Sequence, residues 1–374
     1  MNKKRYVLTA INAKYIHSNL AVYSLKAAAK AVGLHVELAE FTINHYIEFI
    51  LQELYKKKPD VLFFSCYIWN WEYVKELAAE CRKILPDTPI WVGGPEVSHD
   101  AADVMKQNPA ITGVLLGEGE DSFPRLLQLY EEQQEPDLGE LDGVAYRSGS
   151  RGMIQPLKKL PDLSKIPFPY ENMEEFRHKI IYYESSRGCP FSCSYCLSSI
   201  DKRVRFRDMT LVKQELGFFL EQKVPQVKFV DRTFNCKESH TLEIWQFLLD
   251  HDNGVTNFHF EIGADLLTEK ELELIQQMRP GLIQLEIGVQ STNLDTIREI
   301  HRTMDLEKLK EKVSRVKGCK NTHQHFAVCL HNIRQTPRNP YNIRKSQCAK
   351  TRNKLAKKYL YFPFLCCKLA KTRL

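Results

Sequence analysis

Apolar residues fall into short unbroken runs separated by amphipathic stretches through the first 130 positions. The runs RYVLTAI (5–11), LHVELAEF (34–41), DVLFFSCY (60–67), TPIWVGG (88–94) and ITGVLLGEGE (111–120) predict five strands. DVLFFSCY carries no polar alternation, as expected of a strand buried on both faces. Between the runs, helical signals cover 19–33, 44–57, 71–84, 99–107 and 121–132, the first rich in Ala and Leu and closed by Gly33. Five strand–helix units of this length predict a doubly wound parallel sheet. Such sheets bind ligands at the carboxyl ends of their strands, where Gly93, Gly94, Gly117 and Gly119 stand.

The pattern changes after residue 132. EEQQEPDLGELDG is polar, GVAYRSGSRGMIQ (143–155) reads as a hairpin, and LPDLSKIPFPY has three prolines. A second strand–helix series follows, with strands predicted at 179–186, 226–235, 257–266 and 282–292. Each ends in glycine or a polar residue, where a parallel β/α barrel places its active-site groups. The expected division is 1–135 for the first domain, 136–180 for a linker with a small β-element, 181–325 for a partial barrel and 326–374 for a tail. The fold class is α/β throughout.

A length of 374 residues suits two domains, and 43% hydrophobic with 26% charged residues is a globular composition. The basic N-terminus precedes an apolar run too short for a signal peptide, and no stretch has the roughly 18 apolar residues of a membrane span. A cytoplasmic protein is expected, where clustered cysteines serve as metal ligands or catalytic thiols rather than disulfides. The net charge of +7 misleads, because residues 312–374 hold 16 Lys and Arg and no Asp or Glu. The remaining 311 residues carry 37 basic against 46 acidic side chains, a net of −9. Neither nucleic acid nor a membrane is an expected partner of the main body.

The densest chemistry lies in ESSRGCPFSCSYCLSS (184–199), where Cys189, Cys193 and Cys196 are spaced CxxxCxxC. Gly188 permits a turn and Pro190 restricts the loop. A structural zinc site wants four ligands, usually as two separated pairs, and no second CxxC follows. Three thiols with an open fourth position suit a [4Fe-4S] cluster whose remaining iron binds something else; incidental buried thiols and a degenerate zinc site are the alternatives. The motif, on the loop after the first strand of a β/α series, resembles the radical S-adenosylmethionine (SAM) superfamily. The resemblance implies that Cys189, Cys193 and Cys196 hold the cluster and that SAM chelates its fourth iron. It further implies that SAM is cleaved reductively to a 5′-deoxyadenosyl radical, with an electron donor such as flavodoxin or ferredoxin. Tyr195 falls at the family's adenine-side position, and EIGVQS, with Glu286, Gln290 and Ser291, resembles the segment that contacts SAM ribose. Asp231, at a strand end, is a candidate for the SAM ammonium or else a helix cap. Glu261 and Asp265 are further candidate contacts; Arg205 and Arg207 form an anion site or a solvated basic face.

A parallel domain ahead of such a barrel resembles the cobalamin-binding radical SAM class, through VGGPEVS, LLGEGE and the serine of FFSCYIW. Ser65, Gly93, Gly94, Gly117 and Glu118 are the implied cobalamin-binding residues, the glycines leaving room for a flat corrin beside the backbone. The loop INAKYIHSN lacks the Asp-x-His-x-x-Gly pattern of the mutases, so cobalt without a histidine ligand is expected, with His17 the one candidate. Reductive SAM cleavage with cobalamin-dependent methyl transfer is the expected activity. The alternatives are RNA methylthiolation, which needs three N-terminal cysteines where only Cys66 and Cys81 occur, and a truncated non-catalytic protein. Residues 312–374 carry five of the eleven cysteines, and periodicity fades there. An RNA-binding arm and a membrane-surface helix compete there with the favoured reading, a change of reading frame near residue 326.

Overall fold

A single helix shows why the N-terminal half folds as it does. Trp71, Val74, Leu77, Ala78 and Cys81 recur at three- and four-residue steps, and all five are buried. Each large apolar side chain so enclosed contributes about 1.5–3 kcal/mol. The computed structural model describes residues 4–149, 151–200, 202–318 and 326–329, and the chain divides into two units, Met1–Ile180 and Ile181–Leu374. Among the described residues, no helix is long and apolar enough to cross a membrane.

The first unit runs β1 (Tyr6–Asn12), α1 (Leu20–Ala31), β2 (Val36–Thr42), α2 (Ile47–Lys57), β3 (Val61–Ser65), α3 (Trp71–Ile84), β4 (Ile90–Gly93), α4 (Ala101–Gln107), β5 (Gly113–Leu115), α5 (Ser122–Glu132), β6 (Val144–Ser148) and β7 (Arg151–Gln155). One seven-stranded sheet has the order β2-β1-β3-β4-β5-β6-β7. It is parallel through β5, and β1 and β3 are buried along their whole lengths. The hairpin expected in the linker joins this sheet: β6 pairs antiparallel with β5, and β7 with β6. The rest of the 136–180 segment is also tied down within the unit. Phe176 packs on Tyr23 with ring centroids 4.8 Å apart, Lys179 pairs with Glu40 at 2.6 Å, and Ser18 Oγ donates to the Ile180 carbonyl at 2.7 Å.

The second unit contains β8 (Ile181–Tyr183), β9 (Ser186–Arg187), β10 (Arg205–Phe206), α6 (Met209–Glu221), β11 (Gln226–Phe229), α7 (Glu238–Asp250), β12 (Asn257–Ile262), α8 (Glu269–Gln277), β13 (Ile283–Gly288), α9 (Leu294–Glu299), α10 (Leu306–Gly318) and β14 (Phe326–Cys329). Its main sheet has the order β14-β13-β12-β11-β8 and every pairing is parallel, as in part of a β/α barrel. Helix starts are written locally. Asp208 accepts from Thr210 N and Leu211 N to cap α6, and Thr268 with Glu271 forms a capping box on α8. Phe229, Phe234, Trp245 and Phe260 make an aromatic core with centroids 4.3–5.9 Å apart. Residues 326–329 pair with β13, so the sheet continues through the position where a frame change is expected; the expectation for 330–374 lies outside the described residues.

Close backbone approach in the first unit makes Gly94 hard to replace. Gly94 has φ +121°, and a Cβ there would stand 2.3 Å from the Cys66 carbonyl oxygen. Gly33 also has positive φ, +81°, but open space around the added atom. Gly94→Ala is expected to destabilise the first unit by at least about 2 kcal/mol, and Gly33→Ala by about 1 kcal/mol. Urea unfolding followed by tryptophan fluorescence measures both.

Candidate functional site

The cysteine loop is closed at its base by the short antiparallel pair β9–β10, with Arg187 opposite Arg205 and Ser186 opposite Phe206. Gly188 starts the loop at φ +106°, and a Cβ there would lie 2.1 Å from the Arg203 carbonyl oxygen, so only glycine fits. Cys189 and Cys193 are buried and Cys196 half-buried. Burial pushes the Cys193 thiol up, the Arg302 guanidinium opposes this, and the neighbouring Cys196 and Cys189 add to the rise. The three thiols lie within eight residues of one loop. Among the described residues, no three His, Cys, Asp or Glu side chains are gathered closely enough for a single metal ion. A cluster makes a different demand, because each thiolate binds a different iron, and an all-thiolate set with two of its thiols buried fits it.

Arg302 is the site residue that strand-end patterns do not reveal. Its Nη1 donates to Tyr195 OH at 3.2 Å, and its Nη2 donates to the Gly288 carbonyl at the end of β13. Ser194 N adds a bond to the Ile300 carbonyl at 2.9 Å. The segment after α9 thus straps the cysteine loop to a sheet strand. Nothing in the local sequence marks Arg302, since its role depends on a loop about a hundred residues earlier.

Asp231 is fully enclosed. Its oxygens accept from Ser185 N at 3.0 Å, Ser185 Oγ at 2.6 Å and Ser186 Oγ at 2.7 Å. Ser185 Oγ also meets His240 Nε2 at 2.9 Å. Burial pushes the Asp231 carboxyl up to about 6 against the pull of these bonds, and burial pushes His240 down to about 4. Asp231 is turned toward the strand that delivers the cysteines and caps no helix; α7 begins after Lys237, which makes no side-chain cap.

Glu286 lies 3.0 Å from both Lys228 Nζ and His259 Nε2, and Lys228 lies 3.6 Å from Glu261. Gln290 has φ +63°, while Ser291 is buried and accepts from Asn293 N at 3.1 Å. Asp265 accepts from Asp305 N at 3.2 Å. Arg207 is neither solvated nor an open anion site: its guanidinium forms a buried pair with Glu215, which also accepts from Tyr183 OH at 2.6 Å.

In the first unit, side chains knit the carboxyl ends of the strands. Asn19 Nδ2 donates to Ser65 Oγ at 3.0 Å, and Asn70 Nδ2 donates to the carbonyls of Ile11 and Ser65. Ser98 Oγ donates to the Gly94 carbonyl at 2.8 Å and accepts from Gly117 N at 3.2 Å. The glycines serve the protein's own packing first. A Cβ on Gly93 would meet Leu115 at 3.2 Å, one on Gly94 Cys66, and one on Gly117 Leu157 at 3.3 Å. Glu118 is half-buried, and His17 sits in a turn closed by its N–H to the Lys14 carbonyl. Tyr67 and Trp69 stack at 4.4 Å, and Tyr15, Ile16, Ile43 and Tyr46 are exposed in the loops after β1 and β2.

Asp231→Asn turns one acceptor into a donor against serine hydroxyls. Iron uptake on anaerobic reconstitution is expected to fall several-fold, with a stability loss of about 1–3 kcal/mol, whereas Asp250→Asn on an exposed helix end changes neither. Iron analysis and thermal melting measure the two effects.

Two family models match: B12 binding domain over residues 6–127 and Radical SAM superfamily over residues 183–334. The 2-(S-pantetheinyl)-carbapenam-3-carboxylate methyltransferase of Streptantibioticus cattleyicolor is 26% identical over 299 residues, covering 75% of this chain and 43% of the relative. The cobalamin-dependent radical SAM methyltransferase TokK of Streptomyces tokunonensis is 29% identical over 191 residues, covering 47% and 28%. The cobalamin-dependent SAM radical enzyme OxsB, with aqua-cobalamin and SAM bound, superposes with a TM-score of 0.72 at 18% identity, covering 87% of this chain and 49% of that one. The chain thus spans less than half the length of these relatives. The radical SAM domain implies a [4Fe-4S] cluster and SAM, and the B12 domain implies cobalamin. The chain joins a B12-binding domain to a radical SAM domain and is homologous to the cobalamin-dependent radical SAM methyltransferases.

Proposed function

We propose that the protein is a cobalamin-dependent radical SAM methyltransferase. The observation that carries this reading is the single loop of Cys189, Cys193 and Cys196, two of them buried, in a chain that also has a B12-binding domain. When bound, the cluster and SAM supply an electron and a 5′-deoxyadenosyl radical, and cobalamin supplies a methyl carrier. The chain's own residues position these groups. Gly188 and the β9–β10 pair shape the loop, Asp231 holds its entry strand, and Arg302 joins Tyr195 to the end of β13. Tyr195, Glu286, Gln290 and Ser291 are the proposed SAM contacts, the fully buried Asp231 dropping out of that set; Ser65, Gly93, Gly94, Gly117 and Glu118 are the proposed cobalamin contacts. A one-electron donor of the flavodoxin or ferredoxin kind is the proposed partner. Methylthiolation is not favoured, because the N-terminal cysteines Cys66 and Cys81 are both buried in the core of the first unit.

Anaerobically reconstituted protein, given SAM and dithionite, is expected to form 5′-deoxyadenosine, and to bind hydroxocobalamin with a corrin absorbance shift. Cys193→Ala is expected to lower iron and 5′-deoxyadenosine by more than about tenfold. A fully loaded cluster that yields no 5′-deoxyadenosine would sink the enzymatic reading.

A further inference from the structure

One face of the second unit's sheet is polar. Gln226 and Lys228 of β11, His259 and Glu261 of β12, and Gln284 and Glu286 of β13 stand among buried apolar residues. Such a face in a closed barrel is usually filled by branched apolar side chains. Here the amides satisfy one another: Gln226 Nε2 donates to Asn257 Oδ1 at 3.1 Å and to Gln284 Oε1 at 3.4 Å. The next level is charged. Glu261 and Glu286 are direct register partners on adjacent strands, a like-charge pairing that is unfavourable by itself. Lys228 reaches both, at 3.6 Å and 3.0 Å, while His259 meets Glu286.

We propose that Lys228 is a positioning residue, the shared counter-ion that lets Glu261 and Glu286 stand side by side as register partners and orders this sheet face toward the cationic SAM. The proposal rests on the functional reading above. The other groups facing the pair agree with it. Contact with His259 holds Glu286 down at about 2, with Lys228 assisting against burial. Burial would lower Lys228, but the two carboxylates together hold it above its usual value. Tyr182 on β8 is pushed up to about 12 by burial and by Glu261, so it stays neutral. Glu286 therefore stays ionised between about pH 5.5 and 8.5. A folded-state pKa held low gives stability that is lost only as pH falls from the ordinary carboxylate range toward about 2.

Lys228→Met removes the counter-ion and leaves two adjacent carboxylates that share a proton. One folded-state pKa then rises, so stability falls as pH rises through it. The variant's melting deficit is expected to grow from about pH 5.5 to 8.5. Its SAM affinity, by equilibrium dialysis with the full reconstituted chain, is expected to weaken about fivefold or more from pH 8 to 6 as the shared proton is taken up. Lys228→Met/Glu261→Gln, with no like-charge pair, should recover the melting temperature and lose both pH dependences. Wild-type pH profiles in Lys228→Met, or no recovery in the double variant, would overturn the proposal. If no form binds SAM, the functional reading fails, and the melting profiles still decide whether Lys228 is the shared counter-ion.

Discussion

A fully buried carboxylate anchors the strand that enters the cysteine loop. Asp231 stands just past the end of β11 and bonds three donors from Ser185 and Ser186, four and three residues before Cys189. An unpaired buried carboxylate is costly, so the bonds that satisfy it also fix the direction of the strand it touches. That direction sets where Gly188 turns and where Cys189 and Cys193 are buried. Arg302 does the same from another segment, through Tyr195 and Gly288. The loop's shape is therefore set by two polar anchors that are distant in sequence.

In the first unit the carboxyl end of the sheet is shaped by close backbone approach. Gly94 lies against Cys66, and Ser98 bridges β4 to the start of the loop after β5. The glycines that resemble a cofactor cradle are first required for adjacent strands to meet. Tyr15, Ile16, Ile43 and Tyr46 are exposed in the loops after β1 and β2.

Much of this was legible along the chain. The continuous burial of β3 follows from its unbroken apolar run, and the parallel sheets follow from alternating strand and helix signals. The cysteine spacing pointed to a cluster because thiolate chemistry and loop length are both local. The hairpin at 143–155 was also visible, but not its place at the edge of the first sheet, because register across sequence-distant strands leaves no local mark. Arg207 looked like part of a basic surface run until the fold placed Glu215 beside it.

Local pattern alone sets the order of elements, the chemistry of the three thiols and the breaks where glycine and proline punctuate the chain. Periodicity, turn residues and ligand spacing act over a few residues, so they can be read without a fold. That Asp231 holds the cysteine strand, that Arg302 reaches Tyr195, and that Lys228 stands between Glu261 and Glu286 emerge once the chain is folded. Those contacts join residues far apart in sequence, and their energies depend on burial and distance, which exist only after the sheets have formed.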